Sequence, residues 1–275
     1  MPVIAMTREM GSGGREVAQR VADKLGLKVV LHKLVEHDLA ERLAVSESTI
    51  HRRFEGGAGW RERWQVGDRR LARYTAEEML ALADKGNVVI RGWGACLLLR
   101  DIPHVARVRI CAPLELRARS VMERHGFSDA GVARREIERN DAAHRRTVKA
   151  AFGVEREDSL LYDLVLNTDR TSADTCAQLV CDLVAGPDFA ETAASRAILA
   201  DRALEAHVRL RLAERFTAGT GVTGIEAAAR DGKVVLKGIA IHSSLADEAA
   251  RIAGTVPGAK DVDNRIEIVC GPRGL

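Results

Sequence analysis

The chain opens with a short apolar run at residues 3–6 (VIAM) that breaks at once into the glycine-rich segment Gly11–Gly14. Val17, Val21, Ala22 and Leu25 then recur at helical spacing until Gly26 ends the pattern. This order predicts a strand, a glycine loop and a helix, the opening unit of an α/β sheet. Further short apolar runs predict strands at Val29–Leu31, Asn87–Ile90, Ala106–Cys111 and Leu164–Leu166. Helices are expected over residues 34–55, 69–85 and about 172–184, with Gly56–Gly59 breaking the chain between the first two. Strands alternating with helices imply a parallel sheet with right-handed crossovers.

The pattern changes after Gly186-Pro187, a helix stop. Residues 188–200 are Ala-rich and polar and read as a linker. Beyond it come a helix (Ala203–Phe216), a strand (Ile225–Ala229), the Asp231-Gly232 turn and a strand (Val234–Gly238). A second helix (Leu245–Ala253), a Pro257-Gly258 turn and a last strand (Arg265–Val269) complete an αββαβ unit. An Asp-Gly pair between alternating runs is a hairpin signal. The expected division is therefore 1–187, a linker at 188–200, and 201–270.

A chain of 275 residues, 46% hydrophobic and 29% charged, suits two soluble domains. A formal net charge of +3 does not point to nucleic acid. Five scattered cysteines without zinc-ligand spacing read as free thiols in a reducing compartment. No signal peptide or long apolar span is evident, so a cytoplasmic location is expected.

The chemistry concentrates at the glycine loop. Free N–H groups at a helix start, helped by the helix dipole, favour anions, and glycines let the backbone close around phosphate oxygens. Arg8, Gly11, Ser12, Gly13, Gly14, Arg15 and Glu16 are the candidate phosphate-binding residues. The usual loop carries Lys followed by Ser or Thr; here Arg15-Glu16 occupies that register, and Arg8 and Arg15 are the available cations. Glu16 stands where a hydroxyl would meet magnesium, and either binds the ion or repels phosphate.

The string TREMGSGGREVAQRVADKLG resembles the opening of the cytidylate kinase-like family, whose members carry a lysine-free loop of this kind. The resemblance continues through VVIRGWGACLLLRDIPHVARVRICAPLELR, RREIERNDAAHRRTVKAAFGV and DSLLYDLVLNTDR, over roughly residues 1–185. It implies a P-loop nucleoside monophosphate kinase-like parallel sheet with flanking helices, using ATP and Mg²⁺. The implied activity is transfer of the γ-phosphoryl to a nucleotide or small phosphate acceptor. By the same resemblance Arg15, Arg134, Arg135, Arg145 and Arg146 are catalytic candidates, the last four on an arginine-bearing lid with Asp141. The family's acceptor arginine falls at Trp93, with Arg91 two residues earlier; Arg91, Trp93, Asp141 and Asp163 are the substrate-binding candidates. No protein metal-ligand set is expected. Departures at Glu16, His32 and Trp93 motivate an alternative, a non-catalytic nucleotide sensor. Residues 201–270 resemble a BON domain, a small α+β module, which implies a phospholipid or protein partner; a homo-oligomer is also compatible.

Overall fold

The computed structural model describes residues 1–31, 67–92, 94–126, 128–217 and 219–269. The helix expected over 34–55, the Gly56–Gly59 break, His32, Arg52, Arg53, Arg61, Arg63 and Trp93 lie outside them. Two compact units are present: Met1–Gln65 with Lys85–Thr192, and Val66–Asp84 with Ala193–Leu275.

In the first unit five parallel strands stand in the order β2-β3-β1-β4-β5. They are β1 (Val3–Arg8), β2 (Lys28–Leu31), β3 (Val88–Arg91), β4 (Val105–Cys111) and β5 (Leu164–Asn167). Helix α1 (Gly14–Leu25) follows β1. Its apolar stripe buries Val17, Ala18, Val21 and Ala22 against Ile4, Met6, Val108 and Ile110 of the sheet. β1 over Val3–Met6 and β3 over Val88–Ile90 are buried and apolar on both faces, as strands of a parallel sheet covered on both sides require. β1 lies between β3 and β4: the connection from β1 to β2 runs to one side of it and that from β3 to β4 crosses to the other. Its carboxyl end is therefore a topological switch point, where α/β sheets collect ligands.

Helices α4 (Leu114–His125) and α5 (Ala130–Phe152) form a hairpin between β4 and β5, the short α3 being Ala95–Leu98. The hairpin has its own small core of Ala118, Val121, Ala133 and Ile137, joined by Met10 from the glycine loop. Helix α6 (Ala173–Ala185) closes the unit, capped by Ser172 Oγ on the Thr175 N–H.

In the second unit, helix α7 runs unbroken from Ala193 to Arg215. Its first turns fall in the stretch expected as linker, because an Ala-rich polar sequence is also a strong helix former. Helix α2 (Gly67–Lys85) belongs to this unit, with Tyr74 Oη 2.5 Å from Glu214 Oε1. Strands β6 (Val222–Arg230), β7 (Lys233–Ala240) and β8 (Asp261–Ile268) form a sheet in that order. β6 and β7 pair antiparallel, β7 and β8 parallel. Helix α8 (Ser243–Gly254) joins α7 on one face, burying Val208, Val234, Leu236 and Ala249. At the hairpin Asp231 and Gly232 both take positive φ, at 54° and 82°, as an Asp-Gly turn provides.

Candidate phosphate-binding site

The loop after β1 is shaped by three glycines, each for its own reason. Gly11 has φ of 79°, and a Cβ there would lie 2.5 Å from the Arg117 carbonyl oxygen. Gly13 caps α1 with φ of 73°, and nothing lies within 4 Å of where its Cβ would be. A Cβ on Gly14 would lie 2.7 Å from Arg8 Cβ, so loop and strand end are in direct contact. Ser12 is buried, its hydroxyl donating to Glu9 O at 2.8 Å and approaching Ile110 O at 3.3 Å. Thr168 Oγ1, just beyond β5, donates to Ser12 O at 2.9 Å. The loop is thus tied to β4 and to the end of β5. Gly13 O accepts from the Glu16 and Val17 N–H groups at 2.9 and 3.2 Å, and the Gly14 and Arg15 amides before them have no helical carbonyl to bond.

The charge at this end is positive. Burial, together with Arg8, Arg15 and Arg124, pulls the pKa of Arg91 down to about 10. Arg8, on β1, is held against Gly14; Arg15 is in the first turn of α1; Arg91 ends β3; Arg124 is near the end of α4. Arg91 therefore feels like charges from three other elements. Glu16, in the first turn of α1, pairs with Arg20 at 2.6 Å, and Arg20 also holds Asp174.

Beneath the loop lies a second, buried charge cluster. Glu9 accepts from Arg109 Nη2 at 2.8 Å and from the Ala112 N–H at 3.2 Å. Arg117 and Arg156 approach the same carboxylate at 3.5 and 3.9 Å. Arg117 also makes a paired contact with Asp141, at 2.8 and 3.0 Å, and its Nε donates to Met10 O at 2.7 Å. Arg156 lies 3.7 Å from Asp141. Tyr162 Oη donates to Arg156 O at 2.7 Å, and the Arg109 guanidinium sits 5.8 Å from the Tyr162 ring centroid. Burial is the largest influence on Arg109 and opposes its charge, but the Glu9 hydrogen bond and charge, with Tyr162 and Cys111, together outweigh it and raise the pKa. Three guanidiniums thus surround Glu9 and Asp141, with Glu157 Oε1 also 3.9 Å from Arg156 Nε.

Of the residues singled out from sequence, Arg8, Gly11, Gly13, Gly14, Arg15 and Arg91 come together. Ser12 is internal to the loop: its hydroxyl and its N–H both donate to Glu9 O, and its carbonyl accepts from Thr168. Asp141 is committed to Arg117. Asp163 is placed elsewhere: it precedes β5, at the amino end of that strand, and accepts from Arg107 N–H, Nε and Nη2 at 2.8, 3.1 and 2.5 Å. The residue that β5 brings to the loop is Thr168. Arg134, Arg135, Arg145 and Arg146 lie on the exposed side of α5. There Arg134 meets Glu115 at 2.5 Å, Arg145 meets Glu157 at 3.4 Å, and Arg146 Nε donates to Ala142 O at 3.1 Å.

Glu9, Arg109 and Arg156 did not emerge from the sequence. One signal was available. Arg107 and Arg109 alternate with buried Val108 and Ile110, so both arginines project from one face of a central strand and each requires a carboxylate. Asp163 and Glu9 supply them.

Among the described residues, no three acidic, His or Cys side chains cluster to hold a metal, and no helix is long and apolar enough to cross a membrane. Cys96, Cys111, Cys176 and Cys181 are free thiols. Burial pushes the Cys96 thiol up to about 12, so it is an inert core group.

Comparison with known proteins agrees with this geometry. Residues 3–170 match the cytidylate kinase-like family, and residues 200–270 match the BON domain. The chain is similar to the cytidylate kinase of Pyrobaculum aerophilum, 28% identical over 182 residues, or 66% of this chain and 92% of that protein. It is similar to the cytidylate kinase of Methanopyrus kandleri at 30% identity over 172 residues, 60% of this chain and 83% of that protein. Among solved structures, an uncharacterized protein from Eubacterium ventriosum superimposes with a TM-score of 0.52 at 20% identity. The match covers 67% of this chain and 98% of that one, a likeness of fold. With a lysine-free glycine loop at the switch point of a five-stranded parallel sheet and a match over residues 3–170, this chain belongs to the cytidylate kinase-like family, and it carries a BON domain behind that unit.

Proposed function

We propose that the chain is an ATP-dependent nucleotide kinase that passes the γ-phosphoryl group to a nucleoside monophosphate or a small phosphate acceptor. The observation that carries this reading is the Gly11–Gly14 loop at the carboxyl end of β1, where Arg8 packs on Gly14, Arg15 opens α1 and Arg91 ends the neighbouring β3. Phosphoryl transfer asks a protein chiefly to position its reactants and to neutralise charge on the transferred group. The loop amides and Arg15 take the donor phosphates, the task a lysine performs in the commoner loop. Arg91 ends a strand beside β1 and faces the acceptor phosphate. The curated relatives are named cytidylate kinases, so CMP is the first acceptor to test. Arg134, Arg135, Arg145 and Arg146 sit on the exposed face of α5 and reach the phosphates by movement of that helix.

Mg²⁺ suits this donor set as an ion carried mainly by phosphate oxygens and water, since Glu16 is the exposed carboxylate beside the loop and Glu9 is taken by arginines. Its chemistry would be to bridge and neutralise the phosphates. The pairing of Glu16 with Arg20 also favours a second reading, a nucleotide-binding regulator without turnover.

A coupled assay for ADP release, run with ATP, Mg²⁺ and each common monophosphate, separates the two. Turnover that falls on the order of a hundredfold or more in Arg15→Ala supports the kinase. Calorimetric ATP binding with no ADP formed from any acceptor supports the regulator, and absence of ATP binding defeats both.

A further inference from the structure

The two edges of the sheet in the second unit are treated differently. Along β6, helix α7 lays down a row of side chains one turn apart. Asp201 accepts from the Asp231 and Gly232 N–H groups at 2.8 and 3.1 Å, and Glu205 from the Ala229 N–H at 3.0 Å. Arg209 Nη2 donates to Ala227 O at 2.6 Å. These contacts take up outward main-chain groups of β6 and its turn and close that edge to strand addition.

β8 has no such strip among the described residues. Among the described residues no strand pairs with its outer side, and most of its residues are exposed or half-exposed. The Val269 N–H donates to Ala240 O at 3.0 Å, which sets the alternation. Odd-numbered residues turn their main chain to β7, and Val262, Asn264 and Ile266 turn theirs outward. Only a long local contact, the Ile266 N–H to Asn264 Oδ1 at 3.3 Å, meets one of these groups.

We propose that β8 is a self-pairing edge that joins two copies of this chain antiparallel, with Asn264 opposite its own counterpart. In that register Val262 faces Ile266 of the second copy, and the outward groups of 262, 264 and 266 satisfy one another. On the outer face Asp263 stands opposite Arg265 of the second copy, and by symmetry this pair occurs twice. Asp263 and Arg265 already hold each other within the strand at 2.8 Å, so the exchange re-pairs the same groups across the seam at the non-hydrogen-bonded positions. Asp261 faces Glu267 at each end, with Lys233 3.5 Å from Asp261 to offset the repulsion. A register centred two residues later overlaps a shorter length of strand. The outer face as a whole carries Arg230, Lys233, Lys237 and Arg265 against Glu226, Asp261, Asp263 and Glu267. That balance suits a protein surface better than an anionic lipid surface.

Sedimentation of the full chain across a concentration series tests the proposal. A monomer–dimer equilibrium is expected, weakened about tenfold or more by Asp263→Arg or by Arg265→Asp alone. The double swap D263R/R265D restores it to near the original strength; its strand has the same composition as the natural one, so recovery separates pairing from unfolding. A chain that stays monomeric at its highest soluble concentration overturns the proposal. So does a dimer indifferent to the single swaps, or a monomer that instead floats with anionic vesicles.

Discussion

Arg117 grips Asp141 through both terminal nitrogens while its Nε donates to Met10 O. One buried guanidinium therefore ties helix α5 to the main chain of the glycine loop. Removing one partner of a buried pair strands the other charge, at a cost of about 3 kcal/mol. Asp141→Asn and Arg117→Met should each lower the free energy of unfolding in urea by an amount of that order. At a temperature where both proteins stay folded, D141N should leave the acceptor KM near the natural value. A raised KM at unchanged stability would return Asp141 to the acceptor site.

Gly11 and Gly13 share a positive φ but not their surroundings. Alanine at Gly13 meets only the left-handed backbone penalty, about 1–2 kcal/mol. At Gly11 it also drives a Cβ into the Arg117 carbonyl, so Gly11→Ala should cost at least about 1 kcal/mol more than Gly13→Ala. Thermal melts of the two variants measure that difference. Equal losses would mean that the loop stands further from α4 than 2.5 Å implies.

Arg91 sits where burial and three like charges disfavour its proton, with a pKa of about 10. For a base, a lowered folded-state pKa is a penalty on the fold. It is present in full at neutral pH and relieved as pH rises through about 10. Arg91→Gln should therefore stabilise the empty protein, by about 1 kcal/mol once solvent screening is allowed for. It should also weaken binding of the phosphate ligand about tenfold or more, since a charge-assisted hydrogen bond is lost. Melts with and without nucleotide would show a higher baseline Tm and a smaller ligand-induced shift. A variant that melts lower, with an undiminished shift, would make Arg91 a packing residue.

The strands, the loop and the hairpin were legible because each rests on a local rule: apolar runs, glycines at a helix start, an Asp-Gly turn. The buried charge cluster was not, because its members come from distant parts of the chain. Glu9 meets Arg109 and Arg156 only once β4 is placed beside β1 in parallel register. Asp163 was misplaced for a related reason. A polar residue beside a strand belongs to one end or the other according to chain direction, and Asp163 precedes β5 whereas Thr168 follows it. The early start of α7 was hidden because Ala-rich composition describes a linker and a helix equally well.

Glu205 offers a test of that helix. It is buried and accepts from the Ala229 N–H, with Arg202 at 3.0 Å and Arg209 at 3.6 Å. Glu205→Ala strands a main-chain donor and loosens Arg209, so a loss of about 2 kcal/mol is expected in urea. Glu205→Gln keeps an acceptor for Ala229 and should lose about half as much. The alanine variant also uncovers part of the β6 edge. If that edge is closed by the side chains of α7, E205A should associate beyond the dimer at concentrations where the natural chain does not, and E205Q should not. Light scattering reads this directly, and equal behaviour of the two variants would assign Glu205 to local packing alone.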